Sequence, residues 1–419
     1  MRSIWAPRKA WCDSKDFYDS DEVELKRFQK DWVMVRDMGL AKLVAKADDD
    51  GDLDLNGDGE SDELEEVYAV LWDWHDLIFL VFSFYATTGG EVNWLMLNQW
   101  TEFVMDCKII QKKSQYCKKP DFDLLFITVD AACTKYWERL IDKAKREKAG
   151  AVSGRSEQKK ALSRVEFCFA LVHIAVNRYV KTGELSDVSE ALHKLLTHVE
   201  SRLDSALLVD PNVFRREYCY TTDVNAILIK YDNSLGALYA ALAGGVNALT
   251  GGFNATLLSL YEWITFMRAL EMIQADVTER DALLCFTFSR MAVIDGSSMK
   301  GNGRETQLPF EGFLEAIVRL SALKALPTDE EVESAGVKDA FEYLAQLRAK
   351  DVEEYNDMLM KRSSPMGAEP PQPIHRCVEH TIRIIIRTIE ANTAGDDNLR
   401  LTTTEIALWM KKNDLGVTK

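Results

Sequence analysis

One acidic loop near the start of the chain has the residue types and the spacing that bind a hard cation. Residues Asp52 to Glu63 read DLDLNGDGESDE, which fits the pattern D-x-[DN]-x-[DN]-G-x5-E in full. Calcium takes six to eight oxygen ligands in a tightly turned loop, and Gly57 stands where the chain must turn sharply. The pattern therefore predicts a calcium site. Its ligands would be Asp52, Asp54, Asn56, Asp58 through its backbone carbonyl, Glu60 directly or through water, and Glu63 through both carboxylate oxygens.

Three features of this loop favour another interpretation, a solvated acidic linker. Gly59 stands where an apolar residue would pair with a partner loop. The entering helix is predicted to end near Ala47, several residues before the loop begins. The pattern also fits in a second register, Asp54 to Glu65, as an acidic low-complexity tract would. Both interpretations stay open, and an unpaired loop of this kind would bind calcium more weakly than a paired one.

The loop is followed by an apolar stripe that recurs along the chain. The stripe has i, i+3, i+4, i+7 spacing, so it forms one face of a helix that leaves each loop. It follows six residues: Glu63, Gln99, Glu166, Glu262, Gly312 and Glu405. Apolar residues also occupy the loop position that joins paired loops, namely Leu95, Leu162, Leu258, Leu308 and Leu401. We therefore predict that the second loop pairs with the third and the fourth with the fifth.

The remaining loops are poor ligand sets for calcium. At most one acid occupies the first, third and fifth positions of Thr88 to Gln99, Arg155 to Glu166, Gly251 to Glu262 and Gly301 to Gly312. Ala394 to Glu405 keeps Asp396 and Asn398 but begins with alanine. So few carboxylates cannot replace the hydration shell of calcium. These loops are therefore predicted to be structural.

The periodicity of apolar residues predicts an all-α fold of tandem helix–loop–helix lobes with additional flanking helices. Helices are expected at 22–46, 64–86, 97–110, 121–146, 160–181, 185–204, 258–274, 279–294, 309–325, 337–362 and 374–392. Two segments have linker composition, 145–160 and the proline-rich 363–373. The predicted domains are an N-terminal region (1–74), a first lobe (75–205), a second lobe (206–362), the linker 363–373 and a C-terminal helix–loop–helix (374–419).

Composition narrows the classes of partner and compartment. The net charge of −16 repels phosphate backbones, so no nucleic-acid partner is expected. The uncharged stretch from Asn233 to Tyr261 contains five glycines and predicts a buried helix and loop, so no membrane contact is expected. The cysteines form no CxxC pair and no signal peptide precedes the charged start of the chain, which predicts a cytoplasmic location.

The sequence contains no motif that marks an enzyme. Walker loops, GxSxG and HExxH are absent. The pairs His193/His198 and His375/His380 are five residues apart, a spacing that does not place both rings on one helix face for zinc. We therefore expect that the protein is not an enzyme. An enzyme with an unrecognised site is the remote alternative.

At the level of these repeats the chain resembles the EF-hand, calmodulin-like superfamily, and most of all the diverged tandem EF-hand-pair proteins of cilia and flagella. The resemblance rests on Asp52 to Glu63, on LSRVEFCFALVHIAVNRY from Leu162 and LPFEGFLEAIVRLSALK from Leu308, and on HDLIFLVFSFYATTGG from His75. It implies calcium at one or two sites at most, or a calcium-independent scaffold on microtubules or partner helices. It also implies a place in the cytoskeleton of the cilium or flagellum.

These observations lead to two hypotheses about function. The first is a binding or structural scaffold whose lobes hold protein partners, such as amphipathic helices or microtubule-associated proteins. The second is a calcium sensor, in which ion binding at Asp52 to Glu63 opens a lobe and switches partner binding. A calcium-dependent change in exposed apolar surface would separate them.

Overall fold

The chain folds almost entirely into helices. The computed structural model describes residues 3–47, 62–146, 160–203, 210–244, 257–296, 298–393 and 398–415, and the strands of these ranges form two short antiparallel pairs. The predicted all-α class is confirmed. The helices are α1 (Arg8–Trp11), α2 (Asp21–Val35), α3 (Ala41–Ala47), α4 (Asp62–Asp73), α5 (His75–Thr88), α6 (Leu97–Asp106), α7 (Lys119–Arg146), α8 (Arg164–Ala175), α9 (Val188–Glu200), α10 (Pro211–Phe214), α11 (Thr222–Lys230), α12 (Asp232–Gly244), α13 (Leu260–Ala269), α14 (Glu279–Phe288), α15 (Met299–Thr306), α16 (Phe310–Leu323), α17 (Asp329–Ser334), α18 (Ala340–Lys350), α19 (Val352–Arg362), α20 (Ile374–Thr393) and α21 (Thr403–Lys412). The strands are β1 (Leu95–Met96), β2 (Ala161–Leu162), β3 (Leu258–Ser259) and β4 (Gln307–Leu308).

Most predicted helices occur near their expected bounds, but the single helix predicted over 337–362 is wrong. The chain breaks at Asp351, whose backbone is extended (φ −154°, ψ 106°). The Asp351 carboxylate accepts hydrogen bonds from the N–H groups of Glu353 (2.9 Å) and Glu354 (3.0 Å). Asp351 therefore ends α18 and caps α19, because an aspartate can satisfy the N–H groups that a helix start leaves without partners.

Two other predicted helices are interrupted. The segment 22–46 contains a π turn at Arg36–Leu40 between α2 and α3, where Gly39 has a φ of 125° that glycine adopts without strain. The segment 64–86 is divided at Trp74 into α4 and α5, which are bent by 64°. The apolar periodicity continues through both breaks and so does not reveal them.

The chain divides into two compact units. Unit 1 comprises Met1–Ser20, Val209–Ala292 and Gly303–Lys419, and unit 2 comprises Asp21–Leu208 and Val293–Asn302. The predicted N-terminal region 1–74 thus contributes to both units. The predicted C-terminal part 374–419 belongs to unit 1, where α20 packs against α11, α16 and α18.

In unit 2, the short strands that precede α6 and α8 pair with each other. Leu95 of β1 pairs with Leu162 of β2 in an antiparallel ladder. The predicted pairing of the second loop with the third is confirmed. Helix α8 begins directly after β2 with a capping box, in which Ser163 and Glu166 each accept a hydrogen bond from the other's backbone N–H.

Unit 1 repeats this arrangement. Leu258 of β3 pairs with Leu308 of β4, and the predicted pairing of the fourth loop with the fifth is confirmed. Helix α13 begins after β3 with a second capping box, formed by Ser259 and Glu262. The strand pair again brings the starts of two exit helices, α13 and α16, side by side.

The helices after the paired strands pack equivalent aromatic residues into the cores. In unit 2 the rings of Phe103 and Phe167 lie 5.1 Å apart in an edge-on arrangement. In unit 1 the rings of Phe266 and Phe313 lie 6.2 Å apart. All four side chains are buried, so each pair contributes burial of apolar area and a favourable ring contact.

Within the described ranges, no single helix has both the length and the hydropathy of a membrane span. Helices α4 and α5 pass that test only as a pair, and the pair is sharply bent. Many of their apolar side chains, including Leu64, Val67, Phe82 and Phe84, are buried.

The eight cysteines are all buried thiols, at positions 12, 107, 117, 133, 168, 219, 285 and 377. Burial raises the pKa of Cys168 and of Cys107 to about 12 in each case. The thiols of Cys168 and Cys107 therefore stay protonated near neutral pH and act as small apolar side chains.

Candidate functional site

Of the six predicted calcium ligands, the structure describes Glu63. The other five, Asp52, Asp54, Asn56, Asp58 and Glu60, lie outside the described residues. Glu63 lies in the first turn of α4, and its Oε1 accepts a hydrogen bond from the backbone N–H of Ser189 at 2.8 Å. Ser189 is in the first turn of α9. Glu63 therefore contacts a helix N-terminus, where the N–H groups lack partners within their own helix.

Glu63 belongs to a carboxylate cluster that the sequence analysis missed. Glu66 lies one turn further along α4 and Asp187 precedes α9, and one oxygen from each of the three residues lies within 4.8 Å of the others. The Ser189 hydroxyl donates to Asp187 (2.8 Å) and also lies 3.3 Å from a Glu66 oxygen. The i, i+3 spacing of Glu63 and Glu66 signals a shared helix face. The contact with Asp187 joins residues far apart in the sequence, and no local sequence pattern predicts it.

The cluster has the oxygen chemistry of a hard-cation site but too few ligands. Calcium takes six to eight oxygens, and three carboxylates that each offer one oxygen supply half of the minimum. Asp187 also caps α9, because its Oδ1 accepts the N–H of Glu190 at 2.7 Å. A cation here would therefore need further oxygen ligands beyond these three carboxylates.

The glutamates at the last position of three other predicted loops cap the helices in which they lie. Glu166 Oε2 accepts hydrogen bonds from both the N–H and the hydroxyl of Ser163, each at 2.7 Å. Glu262 accepts the same two bonds from Ser259, at 2.7 and 2.8 Å. Glu405 does so with Thr402, at 2.7 and 2.6 Å. In each case one of the two carboxylate oxygens that a bidentate calcium ligand would use is engaged in a capping box.

Unit 1 also contains a cavity of about 310 Å³ between α18, α20 and the segment after α13. Its wall combines apolar residues such as Leu344 and Ile384 with a rim ion pair, in which Arg348 donates to Glu271 at 2.7 Å. The volume is at the lower limit for small-molecule sites, which are about 300–1,000 Å³.

Lys324 lines this cavity and is the residue there that most resembles a catalytic group. Burial lowers its pKa, although the nearby Asp276 carboxylate opposes that change. A lysine of lowered pKa can serve as a base or nucleophile. The Lys324 Nζ, however, lies 3.0 Å from Asp276, which also accepts the N–H of Ala325 at 2.9 Å. The pair therefore fastens the end of α16 to the loop after α13.

A buried ionic cluster in unit 1 joins Glu315 of α16 to three arginines. Its carboxylate accepts hydrogen bonds from Arg8 (2.6 Å), Arg215 (3.1 Å) and Arg319 (2.6 Å). Burial alone would raise the pKa of Glu315, but Arg215, Arg8 and Arg319 together lower it to about 2. These four side chains are almost completely inaccessible to solvent, so the cluster is structural.

A comparison of the chain with protein-family models, curated proteins and solved structures gives no significant match. The class that the structure supports is a mostly helical protein made of two compact units.

Proposed function

We propose that this protein is a non-enzymatic, protein-binding scaffold built from diverged EF-hand pairs, and that its pairs hold together without calcium. The observation that carries the proposal is the engagement of the loop-closing glutamates in capping boxes, as in Glu166 with Ser163 and Glu262 with Ser259. A calcium-binding loop uses that residue as a bidentate ligand. The apolar ladders at Leu95 and Leu258 join the loops by backbone pairing, which needs no ion.

Thermal unfolding with and without calcium tests this proposal. We expect the same Tm in excess EGTA and in millimolar calcium, because the paired loops are closed by their own side chains. The matched variants are Glu166→Gln and Glu262→Gln, which keep the size of each side chain and remove its charge. A rise in Tm on adding calcium that either variant abolishes would contradict the proposal.

A calcium sensor is the second candidate, and the cluster of Glu63, Glu66 and Asp187 favours it. Carboxylates this close repel one another, and a bound divalent cation would relieve that repulsion. Isothermal titration calorimetry with calcium, with magnesium as competitor, tests the site. Binding heat that Glu63→Gln and Asp187→Asn abolish would support the calcium site that a sensor requires, and a calcium-dependent change in exposed apolar surface would then distinguish a sensor from a scaffold. Glu102→Gln, an exposed glutamate on α6 of the same unit, is the matched control.

The non-enzymatic part of the proposal is supported by the pairing of Lys324 with Asp276, which engages the lysine in a structural contact. The placement on axonemal microtubules comes from the resemblance alone. Imaging of a fluorescently tagged full chain in ciliated cells tests it, and signal spread evenly through the cytoplasm would contradict it.

A further inference from the structure

Equivalent linkers join α6 to α7 in unit 2 (residues 107–118) and α13 to α14 in unit 1 (residues 270–278). In both linkers the second residue, Lys108 or Glu271, has a positive φ, 50° in unit 2 and 53° in unit 1. Each of these residues donates its N–H to the carbonyl three positions earlier, at 3.0 Å in both units. The two linkers therefore begin with the same backbone turn and can be compared residue by residue.

Arg178 in unit 2 is the counterpart of Lys324 in unit 1. The two residues stand at the same distance after the leucines of β2 and β4. The Arg178 guanidinium donates to the carbonyl of Ile109 at 2.9 Å, and Lys324 Nζ lies 3.4 Å from the carbonyl oxygen of Met272. Ile109 and Met272 are both the third residue of their linker. Each unit therefore places a cation against the same carbonyl of the same linker.

The two units differ in how they balance this charge. In unit 1 the Asp276 carboxylate, which belongs to the linker, lies 3.0 Å from Lys324 Nζ. In unit 2 the linker 107–118 contains no acidic residue. The hydrogen bonds of Arg178 within the described part of the chain go to two backbone carbonyls, and its buried Nε has no partner there. Arg178 is only 9% exposed, so unit 2 holds a largely buried cation without the carboxylate that unit 1 supplies.

The surface around Arg178 is strongly basic. Its exposed lysines, which form no ion pair within the described ranges, are Lys108, Lys112, Lys113, Lys118, Lys119 and Lys181. Lys181 stands beside the linker, with its Nζ 5.7 Å from the centre of the Tyr116 ring. The acids that flank the linker are engaged locally, since Asp106 accepts a hydrogen bond from Tyr85 and Asp121 accepts the N–H of Lys118. An acidic chain thus carries a concentrated positive patch in unit 2.

The basic linker is packed onto unit 2 by its own contacts. Ile109 and Cys117 are fully buried, and the N–H of Gln111 donates to the carbonyl of Cys117 at 2.8 Å. The Nε2 of His198 lies 2.9 Å from the carbonyl oxygen of Cys107. These contacts hold the lysines around Arg178 before any partner arrives, and a preorganised surface loses less conformational entropy on binding.

We propose that the linker 107–118 and Arg178 form a docking surface for an acidic segment of a partner protein, with a partner carboxylate in the place that Asp276 holds beside Lys324 in unit 1. The inference rests on the proposed binding function and names the surface and the chemistry of the partner. The repeat identifies the anion as a carboxylate, because that is the group unit 1 supplies. A guanidinium forms strong, charge-assisted hydrogen bonds with a carboxylate, and the lysines around it would attract further acidic side chains.

The test is a fluorescence-anisotropy titration of the full chain with labelled hexaglutamate, at low ionic strength and in EGTA. We expect saturable binding that Lys112→Gln/Lys113→Gln weakens by about threefold or more, since exposed ion pairs contribute modestly and independently. The matched control, Lys42→Gln/Lys46→Gln, removes two exposed lysines from α3 of the same unit and should leave the affinity unchanged. All four positions are exposed, so these variants should fold normally.

A second arm tests Arg178 itself. Arg178→Met removes the charge at the centre of the surface, and Arg178→Lys installs the residue that unit 1 carries at this place. The methionine variant should bind hexaglutamate more weakly and with less salt dependence, whereas the lysine variant should keep most of the affinity. Urea unfolding identifies a variant that does not fold, and the exposed lysine variants decide the question in that case.

A third arm supplies the counter-charge from within the chain. Tyr116→Asp places a carboxylate directly before Cys117, as Asp276 stands directly before Val277 in unit 1. The carbonyls of Cys117 and Val277 accept the hydrogen bond that closes each linker, so the two positions are equivalent. The new carboxylate should weaken hexaglutamate binding more than Tyr116→Asn does. Equal effects of the two substitutions would overturn the proposal.

Phosphate is the rival anion, and phosphatidylserine vesicles and single-stranded DNA present it. Tighter binding of either than of hexaglutamate, if Lys112→Gln/Lys113→Gln removes it, would overturn the partner assignment. No saturable binding of hexaglutamate, or equal binding to the wild type and to Lys112→Gln/Lys113→Gln, would overturn the docking surface. The titration is run in EGTA, and the calcium unfolding experiment contains no peptide. The scaffold proposal and the docking surface can therefore fail independently.

Discussion

Glu315 Oε2 lies 2.6 Å from the guanidinium of Arg8, a residue 307 positions earlier in the chain. The contact fixes the N-terminal segment of unit 1 to α16, and both side chains are buried. Arg215 and Arg319 complete the cluster. Three cations share one buried carboxylate. Removing the charge of Glu315 should therefore destabilise this cluster more than any other single change to it.

Glu315→Gln should lower the free energy of unfolding by about 3–5 kcal/mol, because it leaves buried arginines without their counter-charge. Urea denaturation followed by circular dichroism measures this loss. Glu311→Gln, on the same helix, is the matched control. Burial raises the pKa of Glu311, and its Oε2 has no hydrogen-bond partner among the described residues. That control should be neutral or slightly stabilising, and equal losses in both variants would contradict the assignment.

Stability should depend on pH through the same carboxylate. The pKa of Glu315 is about 2 in the folded chain and 4.5 in an ordinary glutamate, so the unfolded state binds the proton first as the pH falls. The contribution of Glu315 is complete above about pH 4.5 and is lost as the pH approaches 2. It amounts to about 3 kcal/mol. Denaturation curves over this range should show the gap between the wild type and Glu315→Gln narrowing, and a constant gap would refute the prediction.

Leu95→Ala should destabilise unit 2 by about 2–5 kcal/mol, because Leu95 is fully buried where it pairs with Leu162. Leu97→Ala, two residues away and 40% exposed, is the control and should change stability by less than about 1 kcal/mol. Thermal and urea unfolding measure both. Similar losses from the two variants would mean that the strand pair contributes little.

Ser259→Ala should lower the free energy of unfolding by about 1 kcal/mol, because it removes one half of the capping box at the start of α13. Thr265→Ala on the same helix also deletes a hydroxyl, but that hydroxyl is exposed and, within the described part of the chain, bonds only to the carbonyl of Tyr261. The change at Thr265 should be within about 0.5 kcal/mol. A double-mutant cycle of Ser259→Ala with Glu262→Ala should show coupling, and strict additivity would argue against the box.

The local features of this structure are well predicted from the sequence. Leu95, Leu162, Leu258 and Leu308 could be placed in paired loops because each stands at a fixed distance before an apolar stripe. Such patterns depend on the period of the helix, which is the same wherever the helix lies. The break at Asp351 was not predictable in this way, because the apolar periodicity continues across it.

The candidate sites were harder to predict because they depend on long-range contacts. The spacing of Glu315 and Arg319 marks one helix face, but nothing near them points to Arg8 or Arg215. Glu63 was selected as a loop residue, and its hydrogen bond to Ser189 joins α4 to a distant helix.

Unit 1 draws its segments from both ends of the chain, since Met1–Ser20 joins residues that follow Val209. During synthesis, Arg8 leaves the ribosome long before Glu315, whereas Asp21–Leu208, the larger segment of unit 2, is complete much earlier. The entropy cost of closing a loop rises only slowly with its length. The long separation of Arg8 and Glu315 in sequence therefore mainly delays their contact during synthesis. We expect unit 2 to fold first on the nascent chain. Residues 1–20 would stay unpacked and accessible to chaperones until α16 has been synthesised.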